Sequence, residues 1–358
     1  MAVKLLKLTA NRIAALSGNQ QIAESVELVT KSIKEYNKPR DIIVLEKLRD
    51  ICIKEKMMIE MAKMYRNIGM HHFYANNLNE AAISMQLSVG LLKHENDLNL
   101  LMEYYSELGL IYYYNHEYIY SKRYYEEAEE LLAKVKDPDR HLIYLHYSRF
   151  GALLSNMHDY ARSMEMFEKA LTYAEDDKDT GMVVMNIGLL FKRQKDMKTA
   201  LKHYSKALCL LDGGDMKTKS IVYNNIAEVY KILGQYDKAL SYIDKAFKCI
   251  TDNDMSRLFV YFNTYTEIKV LMGDRESVLD EFLSLLVRVE DFHLCKGLVI
   301  EGISNMIAIG SEDEGILKRL ESVIIKLIRG KACNNEEYIK ELKVCLGNIR
   351  LCLKELDN

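Results

Sequence analysis

The sequence predicts an all-α fold: a right-handed superhelix (an α-α solenoid) of about six to seven stacked helix pairs, with helices ahead of it and a capping helix behind. Three observations predict it. Only two prolines interrupt 358 residues, and proline, which removes a backbone donor, is what breaks long helices. Apolar residues recur at the i, i+3, i+4, i+7 spacing of an amphipathic helix, as at Tyr223, Ile226, Ala227 and Tyr230. A small residue returns at Gly69, Gly109, Gly151, Gly188 and Ala227, at intervals of 40, 42, 37 and 39 residues.

Residues 2–16, about 20–36 and 41–55 read as three helices. The first stops at Ser17-Gly18-Asn19, where glycine can take the left-handed conformation, and Pro39 suits the first turn of the third. Residues 1–60 are therefore expected to form an N-terminal helical region, a bundle or a degenerate repeat, with the solenoid over 61–358. The stretch RIAALSGNQQIAESVE suggests a DNA-binding helix-turn-helix, but the spacing from Gly18 to Ile22 is too short for its turn and recognition helix.

Five registers agree from Ala62 onward. With the small residue at position eight, position four is Tyr65, Tyr105, Tyr147, Val184 and Tyr223. The second helix carries Ala81, Ser121, Ser163, Ala200 and Ala239, then a large residue at Met85, Tyr125, Phe167, Tyr204 and Ile243, then Ser88, Ala128, Ala170, Ala207 and Ala246. Small residues are needed where two helices approach closely, and a larger one at Ala239 would overpack the seam. A sixth, worn repeat occupies 259–290 and a seventh roughly 293–330. The helix Glu336–Leu356 caps the stack, since terminal units of a solenoid differ where one face meets solvent. This order of aromatic, small residue, alanine, aromatic and alanine resembles the tetratricopeptide repeat, whose strict unit is 34 residues. The extra residues here must lengthen helices or loops.

Positions 4, 7, 8 and 11 of each first helix build the core, so positions 2, 5, 6, 9 and 13 lie opposite at 100° per residue and line the concave surface. In the fourth repeat these are Met182, Met185, Asn186, Leu189 and Arg193; in the fifth Ile221, Asn224, Asn225, Glu228 and Ile232; in the sixth Val260, Asn263, Thr264, Glu267 and Leu271. An apolar face studded with amides is the composition of a binding groove. Asparagine is a mediocre helix former, and its return at Asn67, Asn186, Asn224, Asn225 and Asn263 wants a reason. A carboxamide offers a donor and an acceptor together, which matches the backbone of an extended peptide. Each asparagine taken singly is nearly as well explained by scaffold needs. Lys63, Arg66, Arg149 and Arg193 could receive a carboxylate, and Glu228 and Glu267 an amine. Tyr114, on the same frame, is a further groove candidate.

The remaining signals exclude more than they add. A net charge of −3 gives no field to hold nucleic acid or anionic membrane. Seven cysteines without a CxxC pair point to reduced thiols and a cytoplasmic protein; Cys345 and Cys352 read as small core residues. Nothing approaches the ~18 consecutive apolar residues of a membrane span. Tyr105, Tyr112 and Tyr125, within a tyrosine-rich second repeat, sit at core registers. His72 at position eleven reads as a satisfied core histidine, without a third ligand at metal spacing. Gly213-Gly214-Asp215 reads as a loop. No catalytic motif is present, so no catalytic residues, metal or cofactor are expected.

The total plan is similar to the bacterial RRNPP group of peptide-pheromone receptors, which includes the Rap phosphatases and the regulators NprR and PlcR. A short helical N-terminal region precedes six or seven elongated repeats with asparagines on the inner face. The resemblance implies a short linear peptide as ligand, with Asn186, Asn224, Asn225 and Asn263 on its backbone. It also implies action through a homodimer or a protein such as a response regulator. A non-enzymatic scaffold for protein partners is the alternative. A Rap-type phosphatase is the second alternative, and it would need a polar N-terminal side chain, for which Gln20 and Gln21 are conceivable.

Overall fold

The computed structural model describes residues 13, 16, 18–36, 38–95, 97–135, 137–211, 215–250, 255–274, 276–288, 296–329 and 336–356. Every regular element among them is helical: seventeen α-helices and two short 3-10 turns. The chain divides into two compact units, 1–179 and 180–358.

The first unit holds α1 (Asn19–Lys31), α2 (Ile42–Lys54), α3 (Met58–Tyr74), α4 (Leu78–Leu92), α5 (Leu98–Tyr114), α6 (Tyr118–Leu132), α7 (Arg140–Asn156) and α8 (Tyr160–Tyr173). Consecutive helices pair, α3 with α4, α5 with α6 and α7 with α8. The predicted helix over 2–16 lies outside the described residues, apart from Ile13 and Leu16. The helix expected over 20–36 ends at Lys31 and continues as a 3-10 turn, Ile33–Glu35, and Pro39 opens a second such turn, Pro39–Asp41, just ahead of α2. Val26, Val29, Leu45, Leu48 and Cys52 share one buried core with Met64 and Ile68 of α3. That core runs across residue 60, so the N-terminal helices are packed onto the first repeat within one unit.

The second unit begins in the first turn of α9 (Asp177–Arg193) and continues through α10 (Met197–Leu210), α11 (Met216–Ile232), α12 (Tyr236–Lys248), α13 (Met255–Leu271), α14 (Glu276–Arg288), α15 (Lys296–Ile309), α16 (Glu314–Arg329) and α17 (Glu336–Leu356). Tyr338, Leu342, Cys345 and Ile349 of α17 close a core formed with Phe282, Ile303, Leu317 and Leu320. This is the expected cap, and Cys345 serves it as a small core residue.

The register of small residues has a direct cause. A Cβ on Gly109 would stand 3.1 Å from the Tyr125 ring, and one on Gly151 or Gly188 would stand 2.7 Å from Phe167 or Tyr204. The second helix therefore lays its large side chain on the bare backbone of the first. Where that side chain is Ile243, position eight can be Ala227, and both lie in one buried cluster. The serines in the alanine register are explained too. Ser121 Oγ donates to the Gly109 carbonyl and Ser163 Oγ to that of Gly151, each at 2.7 Å.

The turn inside each repeat has a second register. Asn76, His116, His158, Lys195, Gly234 and Gly273 all have positive φ, from 59° to 88°. An L-residue there pays roughly 1–2 kcal/mol that glycine does not, offset by about 0.5–1 kcal/mol of glycine's extra backbone entropy. Lys195→Gly is expected to raise stability by about 0.5–1 kcal/mol, seen as a higher urea midpoint at unchanged slope. A lower midpoint would mean that the lysine side chain makes a contact the turn needs.

Candidate functional site

The inner registers of the second unit come from α9, α11 and α13. Asn186 and Asn225 stand at position six of successive first helices. Both are half-buried, and neither side chain hydrogen-bonds to a described residue. Asn224, one position earlier, is buried; its amide donates weakly to Glu228 at 3.4 Å while its Oδ1 has no partner among the described residues. Asn263 is buried beside Gly302 of α15, where a Cβ would come within 3.2 Å of its Oδ1. Around these amides, Met182, Leu189 and Ile221 are half-buried and Met185 buried. Ile232 and Leu271, both at position thirteen, are 56% and 54% exposed.

The two glutamates expected to receive a ligand amine are already engaged. Glu228 pairs with Lys192 and Glu267 with Lys231, so a lysine at position twelve of one repeat reaches a glutamate at position nine of the next. These pairs join successive first helices and are scaffold contacts. The recurrence of Lys192 and Lys231 at a 39-residue interval is the sequence signal that shows them. Arg193 is half-buried on the same side.

In the first unit, three inner-face expectations are corrected. Asn67 is 0% exposed. Its amide donates to Thr30 Oγ1 of α1 at 2.9 Å and its carbonyl accepts from Arg66 at 3.3 Å, so it ties α3 to the N-terminal helices and is closed to a ligand. Lys63 pairs with Glu27 of α1 at 3.3 Å. Arg66 is buried in a two-pronged pair with Glu107 of α5, one prong being Nε to Oε2 at 2.7 Å. Burial works to lower the Arg66 pKa, and the Glu107 carboxylate overrides it, holding the guanidinium firmly charged. Arg66 also lies over the Tyr104 ring, 5.9 Å from its centroid.

Arg149 and Tyr114 remain available. Tyr114 is 52% exposed and meets Phe73 edge-on at 5.4 Å. Arg149 is half-buried, makes no hydrogen bond or ion pair with a described residue, and lines a cavity of about 730 Å³ with Arg66, Glu103, Ser106 and Glu107. Tyr105, Tyr112 and Tyr125 are buried core residues as expected, Tyr112 stacking on Tyr124 at 5.4 Å. The histidine expectation falls on the wrong neighbour. His71 Nδ1 meets the Tyr36 carbonyl at 2.6 Å, whereas His72 is half-buried and its Nδ1 has no partner among the described residues. Gln20 and Gln21 are exposed on α1, and Gln20 donates to Glu24. Gly213 and Gly214 lie outside the described residues. Among the described residues no group of acidic, histidine or cysteine side chains is placed to hold a metal. Among the described residues no helix is long and apolar enough to cross a membrane.

Residues 147–177 and 221–248, the third and fifth repeats, match the sequence model of the tetratricopeptide repeat. The chain is an α-α solenoid in which these two repeats match the tetratricopeptide repeat. No curated protein sequence matches it, but solved structures share its fold. Aspartyl phosphate phosphatase F from Bacillus subtilis is similar over 96% of this chain and 86% of its own, at 16% identity and a TM-score of 0.56. A Rap protein in complex with competence and sporulation factor is similar over 97% and 91%, at 16% identity and a TM-score of 0.55. The apo form of RapI is similar over 96% and 90%, at 14% identity and a TM-score of 0.53. At these identities the likeness is one of fold, and it extends over nearly all of the chain.

Proposed function

We propose that the protein is a cytoplasmic regulator that binds a short linear peptide along the inner face of its second unit. Binding changes its contacts with another protein or a second copy of itself, as in a signalling-peptide receptor of the RRNPP kind. The observation that carries this reading is the pair Asn186 and Asn225: half-buried amides on successive first helices, without partners among the described residues. These side chains reach solvent with no described protein partner to displace, and an extended backbone supplies a donor and an acceptor to each. Met182, Leu189, Ile221, Ile232 and Leu271 offer apolar seats for the peptide's side chains, and methionine adapts to ligand shape. The Lys192–Glu228 and Lys231–Glu267 pairs join the helices that such a ligand would bridge, so binding there bears on the angle between repeats. A ligand shifts that angle only by binding one arrangement better than another. A Rap protein of like fold that was solved with competence and sporulation factor supports the class of function.

The test is selection of binders from a randomised seven-residue peptide library on the full-length chain, followed by calorimetry. Asn186→Ala/Asn225→Ala is expected to weaken a selected peptide by at least about tenfold, as expected for losing up to four neutral hydrogen bonds, while leaving the melting temperature nearly unchanged. Full affinity in the double variant would remove the amides from the site.

A further inference from the structure

The cavity of the first unit is bounded by α3, α5, α7 and the 3-10 turn after α1, and it contains two opposite charges that do not meet. Glu103 on α5 and Arg149 on α7 both line it, and neither forms an ion pair or hydrogen bond with any described residue. Ser106, one helical turn beyond Glu103 on α5 and 5% exposed, also lines the cavity, and its buried Oγ has no partner among the described residues. Arg66 and Glu107 satisfy each other at one side and so bring no net charge. The volume, about 730 Å³, lies within the roughly 300–1,000 Å³ of small-molecule sites.

We propose that this cavity binds a small free zwitterion of α-amino-acid chemistry, its ammonium group on Glu103, its carboxylate on Arg149, and Ser106 Oγ hydrogen-bonded to the bound molecule. A lone anion would leave the Glu103 carboxyl facing it, and a lone cation would face the Arg149 guanidinium. A molecule carrying both charges satisfies both groups and the orphaned hydroxyl together. The site lies wholly in the first unit and does not depend on peptide binding in the second.

Proton linkage gives the site a signature. Burial, then the neighbouring Glu107 carboxylate, raises the Glu103 pKa to about 7, against the lowering pull of Arg66 and Arg149. Other charged or titratable groups of the surroundings are Tyr74 on α3, Asp139 before α7, and Lys31, Lys34 and Glu35 at the end of α1 and its following turn. Lys31 is held by Glu27 at 3.2 Å. Near neutral pH a good part of the empty protein keeps the Glu103 proton. An arriving ammonium favours the carboxylate, so a proton is released and binding tightens as pH rises through about 7.

The experiment is calorimetry of the full-length chain with the free L-amino acids in buffers of different ionisation enthalpy. For each binder, its methyl ester lacks the carboxylate and its N-acetyl derivative lacks the ammonium. At least one amino acid is expected to bind with submillimolar affinity and release protons near pH 7, with both derivatives at least tenfold weaker. Glu103→Gln is expected to abolish proton release and Arg149→Met to weaken binding at least tenfold, while Asn225→Ala changes neither. Ser106→Ala, a smaller change to the fold, is expected to weaken binding several-fold. The proposal is overturned if no amino acid binds at millimolar concentration, if the ester or acetyl derivative binds as well, or if folded Glu103→Gln, Arg149→Met or Ser106→Ala binds as the wild type does.

Discussion

Glu107→Ala is expected to destabilise the protein by about 3–5 kcal/mol, the largest effect of any single polar substitution considered. The loss is not the strength of the ion pair itself. It is the desolvation of the Arg66 guanidinium, which stays buried against Tyr104 with its counter-charge gone. Arg66 could turn to the nearby Glu103, but about half of that carboxyl is protonated at pH 7, because burial and Glu107 raise its pKa to about 7. Removing Glu107 takes away part of that cause, which sets the lower end of the range. Arg66→Met/Glu107→Met should be far milder than Glu107→Ala, because apolar residues of similar length leave no orphaned charge. Urea denaturation of the three proteins at pH 7 checks the order. An alanine variant as stable as the wild type would mean that water reaches Arg66.

Phe167→Ala is the second large loss, about 3–5 kcal/mol. The Phe167 ring is fully buried against the backbone of α7 at Gly151, so its removal leaves a cavity at that seam. Gly151→Ala fails for the opposite reason, since the new Cβ would stand 2.7 Å from that ring, an overpacking cost of about 1–3 kcal/mol. The two changes should not add. Once the ring is gone the extra methyl has room, so the double variant should be less destabilised than the sum by about 0.5 kcal/mol or more. Strict additivity in a double-mutant cycle would show that the ring does not rest on Gly151.

The repeat was legible because its registers are steric. Gly109, Gly151 and Gly188 must be bare where Tyr125, Phe167 and Tyr204 press on them, and that constraint writes itself into the sequence at a fixed spacing. The same holds for Ala239 and Ala246, buried at the seam where they were expected. The inner face was legible only as a face. Periodicity put Asn186, Asn225, Glu228 and Glu267 on one side of their helices, but whether a polar group there is already engaged depends on the neighbouring repeat. Lys192 and Lys231 engage the glutamates, and a reading of each repeat alone could not pair them. Asn67 shows the same limit more sharply. Its frame matches that of Asn186, yet Thr30, which no repeat register includes, closes over it. The pair of Glu103 and Arg149 was illegible for a further reason: it joins two helices through a cavity, and an empty space has no residues to read.

The central claim is that the inner wall of the second unit holds an extended peptide. The most direct measurement is photo-crosslinking of a library-selected peptide to full-length protein carrying benzoylphenylalanine at one position at a time. Leu189 and Ile221 lie on the inner registers, and Ser241 is exposed on α12, the second helix of the fifth repeat. A peptide held on this wall gives crosslinks from 189 and 221 and none from 241. Crosslinks from 241, with 189 and 221 silent in variants that still bind the peptide, would contradict it.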